Sequence, residues 1–150
     1  MQLTIFDWGR TLHDPEYGAL FPETKEVLEE LRAREYMLAI VALATAGERK
    51  MQERLRIIEH EQLAPYFASI KFDVANKDRM YEGTLAELGA TPEQTTIVDD
   101  RVIRGIQWGN AHGCTTVWVQ NGKFAHELPD ERTGAPDRAV ASIALLPAIV

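Results

Sequence analysis

In the stretch Leu3-Thr4-Ile5-Phe6-Asp7-Trp8-Gly9-Arg10-Thr11-Leu12 a short apolar run, Leu3 to Phe6, ends on the acid Asp7, and in Thr95-Thr96-Ile97-Val98-Asp99-Asp100 the run to Val98 ends on two acids. Continuous apolar runs without alternation read as strands covered on both faces, as in a parallel sheet. Working outward, Met37 to Leu43 is a second such strand and Ser69 to Phe72 a weaker third. Cys114 to Val119, β-branched and aromatic, is a fifth after the one at Thr95 to Val98. Helices are predicted between them. One opens at Pro22-Glu23-Thr24 and buries Val27, Leu28 and Leu31. Others span Glu48 to Glu61, with Leu55, Ile57 and Ile58 as the apolar face, Asp78 to Leu88, and Val102 to His112, the last two closed by Gly89 and Gly113. Trp8 to Phe21 reads as a loop, and Ala139 to Leu146 as a final helix.

Strand-helix alternation with short connections gives an α/β three-layer sandwich around a central five-stranded parallel sheet. In such sheets ligands bind beyond the carboxyl ends of the strands. Asp7, Asp99 and Asp100 fall at those ends.

The chain has 150 residues, the size of one domain, here 1–150. Hydrophobic residues are 45% and charged residues 26%, a globular profile. Sixteen basic against 23 acidic residues leave a net charge of −7, which disfavours general nucleic-acid binding. The single cysteine, Cys114, permits no intrachain disulfide and no cysteine-built zinc site, and suits a reducing cytosol. The N-terminus lacks the basic start and long apolar stretch of a signal peptide. The longest other apolar run, Met37 to Ala46, falls short of the ~20 residues of a membrane helix. The expectation is a cytoplasmic protein with no membrane or nucleic-acid partner.

Acids directly after apolar strands are costly to bring together unless a cation or a proton separates them. Each alone reads as a cap or a loop acid; together they suggest oxygen ligands for Mg²⁺. Lys77, before the third helix, is either a solvated lysine or a phosphate-holding charge that offsets those acids.

In order along the chain, these residues resemble the haloacid dehalogenase (HAD) superfamily, mostly phosphatases. The family's first motif, a strand followed by Asp-x-Asp-x-Thr, corresponds to Phe6-Asp7-Trp8-Gly9-Arg10-Thr11-Leu12. The third, a lysine leading a helix that ends in Leu-Gly, corresponds to Lys77 and Leu88-Gly89, with Pro92 and a strand following. The fourth corresponds to Val98-Asp99-Asp100, with Gly109 and Gly113 downstream. The resemblance implies a Mg²⁺-dependent phosphohydrolase in which Asp7 is the nucleophile and Lys77 steadies it. It further implies that Asp7, Asp100 and the Gly9 carbonyl hold the metal. Candidate phosphate contacts are Thr11, Thr45, Arg10 and Arg101, the arginines having the alternative of exposed loop or helix residues.

Three departures from the family pattern stand out. Gly9 replaces the second Asp of the first motif, which protonates the leaving group in the family's phosphatases. General acid-base help is worth about 10²–10⁴-fold, so poorly activated leaving groups suffer most. Ala42 stands where the second motif has Ser or Thr, with Thr45 three residues on as either a substitute or a loop residue. Gly105 stands where the fourth motif has its second Asp; Asp99 is either its compensation or a solvated loop acid. His13 is either an alternate acid or an ordinary loop histidine.

No segment is long enough for a cap domain, so the expected substrate is a small phosphorylated compound or a phosphoprotein, with a homodimer as one way to cover the open site. The rival readings are a catalytically inactive relative that binds a metal, anion or protein, and a metal-free haloacid dehalogenase, which needs the absent cap. A two-component receiver domain would place its acidic pair after the first strand, not the fourth.

Overall fold

The computed structural model describes residues 1–150. All four residues of β1 (Leu3–Phe6) are buried. A two-stranded hairpin follows, β2 (His13–Asp14) and β3 (Ala19–Leu20), and then α1 (Thr24–Ala33), β4 (Met37–Leu43) and α2 (Glu48–His60). Next come β5 (Ser69–Asp73), α3 (Lys77–Leu88) and β6 (Thr95–Asp99). A π-helical turn, Val102–Ile106, runs into α4 (Gln107–His112), and β7 (Thr115–Val119) and β8 (Arg138–Val140) complete the sheet.

The main sheet has the order β5-β4-β1-β6-β7-β8, with every pairing parallel. Its two faces are covered separately. Phe6, Ile40, Ala42, Val98 and Val117 pack under α1, Ile58 of α2 and the C-terminal residues Ile143 and Leu146. Ile5, Ala39, Val41 and Ile97 pack against Met80 and Tyr81 of α3 and Trp108 of α4. Alternate residues of one strand thus feed opposite layers, and the three-layer α/β sandwich follows from strands apolar on both faces. No helix is long and apolar enough to cross a membrane.

The sheet has six strands rather than five, because the expected final helix over Ala139–Leu146 is not one. Asp137 accepts hydrogen bonds from the Thr116 backbone N–H at 2.8 Å and its hydroxyl at 3.3 Å, and donates its own N–H back to Thr116 Oγ1 at 3.0 Å. That clasp lays β8 beside β7 as an edge strand. The remaining apolar run forms a short 3₁₀ helix, Ile143–Ala148, capped by Ser142, whose Oγ accepts from the Ala144 N–H at 3.1 Å.

The expected loop 8–21 contains the β2–β3 hairpin, closed by Gly18 at φ 65°. The expected helix from Val102 begins as a π-turn. Its first N–H groups, on Val102 and Ile103, donate to the Glu127 carboxylate, which also pairs with Arg101 Nε at 3.0 Å.

Candidate active site

β1 and β6 are neighbours, with Phe6 in register with Val98, so Asp7 and Asp99-Asp100 leave the sheet side by side. The Asp7 N–H still bonds the Val98 carbonyl at 2.9 Å, which fixes the first acid against the second strand end. Lys77 is the first residue of α3, and Asn76 caps that helix by accepting from the Arg79 N–H at 3.0 Å. The cap aims the lysine inward. Its Nζ donates to Asp7 Oδ1 at 3.1 Å and to Asp99 Oδ2 at 2.7 Å, with its side chain 4% exposed.

The three carboxylates offer oxygens that all lie within 4.8 Å of one another. One lysine does not balance three buried acids, and their protonation divides accordingly. Burial works to raise the Asp7 carboxyl, but the charge of Lys77 and a hydrogen bond from Asp100 hold it below the usual carboxylate range. Burial opposes the ammonium of Lys77, yet Asp7 and Asp99 hold it charged, well above the ordinary lysine value. Asp100 has no cation beside it. Burial, then Asp7 and Asp99, push its carboxyl up to about 10. At neutral pH the cluster is an ionised Asp7, a charged Lys77 and a protonated Asp100.

Asp99 is wholly enclosed. Oδ2 accepts from Lys77 and from the Gly105 N–H at 2.8 Å, and Oδ1 accepts from the Arg101 N–H at 3.1 Å. A Cβ on Gly105 would lie 2.5 Å from Asp99 Oδ2 and 2.6 Å from the Tyr81 hydroxyl. The Asp99 carboxylate therefore fills the space into which a side chain at position 105 would project. Its place is inside the charge cluster, not in a solvated loop.

The other side of Asp7 is different. Gly9 has no side chain, and Arg54 of α2 reaches toward that space: its Nη2 lies 3.9 Å from the position of a Cβ on Gly9. Arg54 Nη1 donates to the Leu43 carbonyl at 2.5 Å, and the guanidinium lies 5.6 Å from the centroid of the Phe72 ring. Burial pulls the Arg54 guanidinium below its ordinary value, and the charge of Asp7 works to restore it. The Trp8 ring stacks on His13 at 5.3 Å and meets Phe72 edge-on, so an aromatic wall lines this side.

Asp7, Lys77, Asp99 and Asp100 thus meet in one cluster, with Gly9 two residues beyond Asp7. The remaining expected contacts are not hydrogen-bonded to this cluster. Thr11 is buried, and its hydroxyl has no partner. Thr45 is exposed in the turn after β4. The Arg10 and Arg101 guanidinium groups lie 5.5 and 3.7 Å from the centroid of the Phe124 ring, Arg101 with Glu127 as its ion pair. Ala42 is in the core.

Two residues of this region escaped the sequence reading. Tyr81 carried a usable signal: it stands four residues after Lys77 on the same helical face, and the ammonium lies 5.8 Å from its ring. Arg54 carried none, being one charge among many on α2.

Residues 2–119 match the family model described as haloacid dehalogenase-like hydrolase. No protein of curated function matches the sequence. Among solved structures, the D,D-heptose 1.7-bisphosphate phosphatase from B. bronchiseptica, complexed with magnesium and phosphate, is similar at a TM-score of 0.80 and 15% identity, over 99% of this chain and 97% of that one. A HAD phosphatase from Thermococcus onnurineus aligns with TM-score 0.74 and 18% identity, over 99% and 97%. The L-2-haloacid dehalogenase from Xanthobacter autotrophicus, with chloropropionic acid covalently bound, aligns with TM-score 0.74 and 13% identity, over 99% and 98%. These likenesses are of fold, and they include both phosphatases and dehalogenases. The family match, spanning most of the chain and all three strand-end acids, carries the assignment: the chain belongs to the haloacid dehalogenase-like hydrolases.

Proposed function

We propose that this chain is a Mg²⁺-dependent phosphohydrolase that works through an aspartyl-phosphate on Asp7. The observation that carries the reading is the charge cluster itself: an ionised Asp7 held by Lys77 at 3.1 Å, with two further carboxyls within 4.8 Å. The donor set fits Mg²⁺, a hard cation that takes carboxylate and carbonyl oxygens and keeps open positions. Asp7 and Asp100 would hold it, with the Gly9 carbonyl, which accepts no backbone hydrogen bond. Asp99 lies too deep and too fully bonded to act first as a ligand; it holds Lys77 in place and adds negative charge. When bound, the cation supplies the positive charge that lets a carboxylate approach a phosphate dianion.

The residues do the rest. Lys77 cancels charge on Asp7 and on the phosphoryl oxygens. Asp7 attacks phosphorus in line with the leaving oxygen, and water hydrolyses the resulting acyl phosphate. Substrate enters past Gly9, where no carboxyl stands to protonate the leaving group.

Para-nitrophenyl phosphate with and without Mg²⁺, wild type against Asp7→Asn, tests the proposal. Mg²⁺-dependent turnover is expected, with a loss on the order of 10⁴-fold or more in the variant. Absence of turnover across a broad phosphate panel with Mg²⁺ bound would sink it. A second readout does not need turnover. Asp100 carries a proton at neutral pH, so binding of Mg²⁺ releases it and affinity rises with pH. Calorimetric titration in buffers of different ionisation enthalpy reads that proton directly.

A further inference from the structure

Arg54 is the one charged side chain that reaches the gap left at position 9, and its Nη2 has no partner. Nη1 is engaged by the Leu43 carbonyl. Nε is enclosed without a partner, and Nη2, 3.9 Å from where a Cβ on Gly9 would be, donates to nothing in the protein. The Leu43 carbonyl anchors Nη1, and the guanidinium carbon lies 5.6 Å from the centroid of the Phe72 ring, so one end of the group is tethered before any ligand arrives. Its only charge partners are Asp7 and the neighbouring Glu53, neither hydrogen-bonded to it. A half-buried cation with unused donors beside a nucleophile is a site for an anion.

The chemistry of that anion follows from what Arg54 cannot do. A guanidinium does not give up its proton at neutral pH, so it cannot serve as a general acid. It stabilises negative charge, and its Nη2, the nitrogen left without a partner on the side of Gly9, can donate to an oxyanion there. We propose that Arg54 meets the leaving group in the space where a family phosphatase has its acid, and that the preferred substrates are acyl phosphates, whose leaving group is a carboxylate. This rests on the phosphohydrolase reading above.

An Asp7 carboxylate oxygen forms a bond to phosphorus while the phosphorus–oxygen bond to the acyl group breaks. The acyl group departs with both electrons of that bond as a carboxylate on Arg54, needing no proton. Water then attacks the phosphorus of the aspartyl-phosphate. Asp7 returns as a carboxylate, and both protons of the water leave on dihydrogen phosphate.

The experiment is kcat/KM with Mg²⁺ for acetyl phosphate, para-nitrophenyl phosphate, phenyl phosphate and glycerol phosphate, in wild type, Arg54→Ala, Arg54→Lys and Asp7→Asn. Wild type should favour acetyl phosphate over glycerol phosphate by about 100-fold or more, the value of a missing general acid. Arg54→Ala should lower acetyl phosphate turnover about 100-fold, as for loss of one oxyanion donor. Arg54→Lys should recover part of both activities, because a lysine restores the charge but loses the Leu43 tether that directs the guanidinium. Inorganic phosphate titrated into the Mg²⁺-loaded protein should bind about tenfold more weakly to Arg54→Ala, a readout independent of turnover.

The failures separate cleanly. Acetyl phosphate turnover lost in Asp7→Asn but unchanged in Arg54→Ala overturns the role of Arg54 and leaves the phosphohydrolase standing. Glycerol phosphate cleaved as fast as acetyl phosphate overturns the substrate class. No turnover of any of the four compounds by wild type overturns both. Arg54 is half-buried on a helix surface, so the alanine variant should fold, and its circular dichroism and melting curve check this.

Discussion

Toward β6 and α3, Asp7 faces a closed cluster in which Lys77 and Asp99 are almost wholly buried and joined by hydrogen bonds. Toward α2 it faces Gly9 and a guanidinium with unused donors. Relative to the family pattern, both sides have lost an acid from its usual place, at Gly105 and at Gly9. The closed side recovered it: Asp99 fills the space in front of Gly105 and accepts that residue's N–H. The α2 side did not, and it presents a positive charge where the pattern has a negative one. A charge inside a buried cluster is costly unless it is paired, and Asp99 is paired with Lys77 and hydrogen-bonded by two backbone N–H groups. The rim of the site is solvated, so its charge is free to change sign and with it the chemistry the site favours.

The largest expected effect breaks the closed side. Lys77→Met leaves buried carboxylates with no cation, and loss of one partner of a buried ion pair costs about 3–5 kcal/mol. Urea unfolding without metal measures it, and Mg²⁺ should restore part of the loss by binding only the folded form. Arg54→Ala, on the solvated side, should change stability by less than about 1 kcal/mol. Equal costs for the two variants would erase the distinction between the sides.

Next in size is the contact that replaced the missing acid. Gly105→Ala puts a methyl 2.5 Å from Asp99 Oδ2, and overpacking of this kind costs about 1–3 kcal/mol. Gly105→Asp should cost more, as it adds charge to the overlap. Combining it with Asp99→Gly removes two of the three close contacts, leaving that of the Tyr81 hydroxyl at 2.6 Å, and returns one carboxylate to the space, so the double variant should be more stable than Gly105→Asp alone. A coupling energy of at least about 1 kcal/mol in that double-mutant cycle is expected; simple additivity would mean that the two positions do not share one space.

Most of the closed side could be read from the chain. Apolar runs ending in Asp7 and Asp99-Asp100 fixed which strand ends carry acids, and the parallel order brought them together. What the sequence left open was the role of Asp99, because whether it fills the space before Gly105 depends on the π-turn at 102–106, a local departure with no periodic signal. The edge strand β8 was hidden for a similar reason. It is three residues long and is held by Asp137 and Thr116, 21 residues apart, while the Ala-Leu run beside it has helical composition. Arg54 was hidden because its importance comes from Gly9, a residue 45 positions earlier that only the β1–β4 pairing brings near it.

The smallest effect concerns the aromatic wall behind that open side. His13 is buried, stacked on Trp8 at 5.3 Å, and its Nε2 has no partner. Burial, then Lys50 and Arg54, push its imidazole below the ordinary 6.5, against a hydrogen bond at Gly18 and the charge of Asp14 that act the other way. The folded protein therefore resists a proton that the unfolded chain accepts. Above 6.5 neither state is protonated and the stability is intact; as the pH falls through 6.5 toward the lower folded value, the unfolded state gains protons first and stability drops. His13→Phe keeps the stack and removes the titration, so the difference in urea midpoint between wild type and variant should widen in the variant's favour on acidification. A constant difference across that range would mean that His13 is as easily protonated in the fold as outside it, and that the wall beside Arg54 is wet.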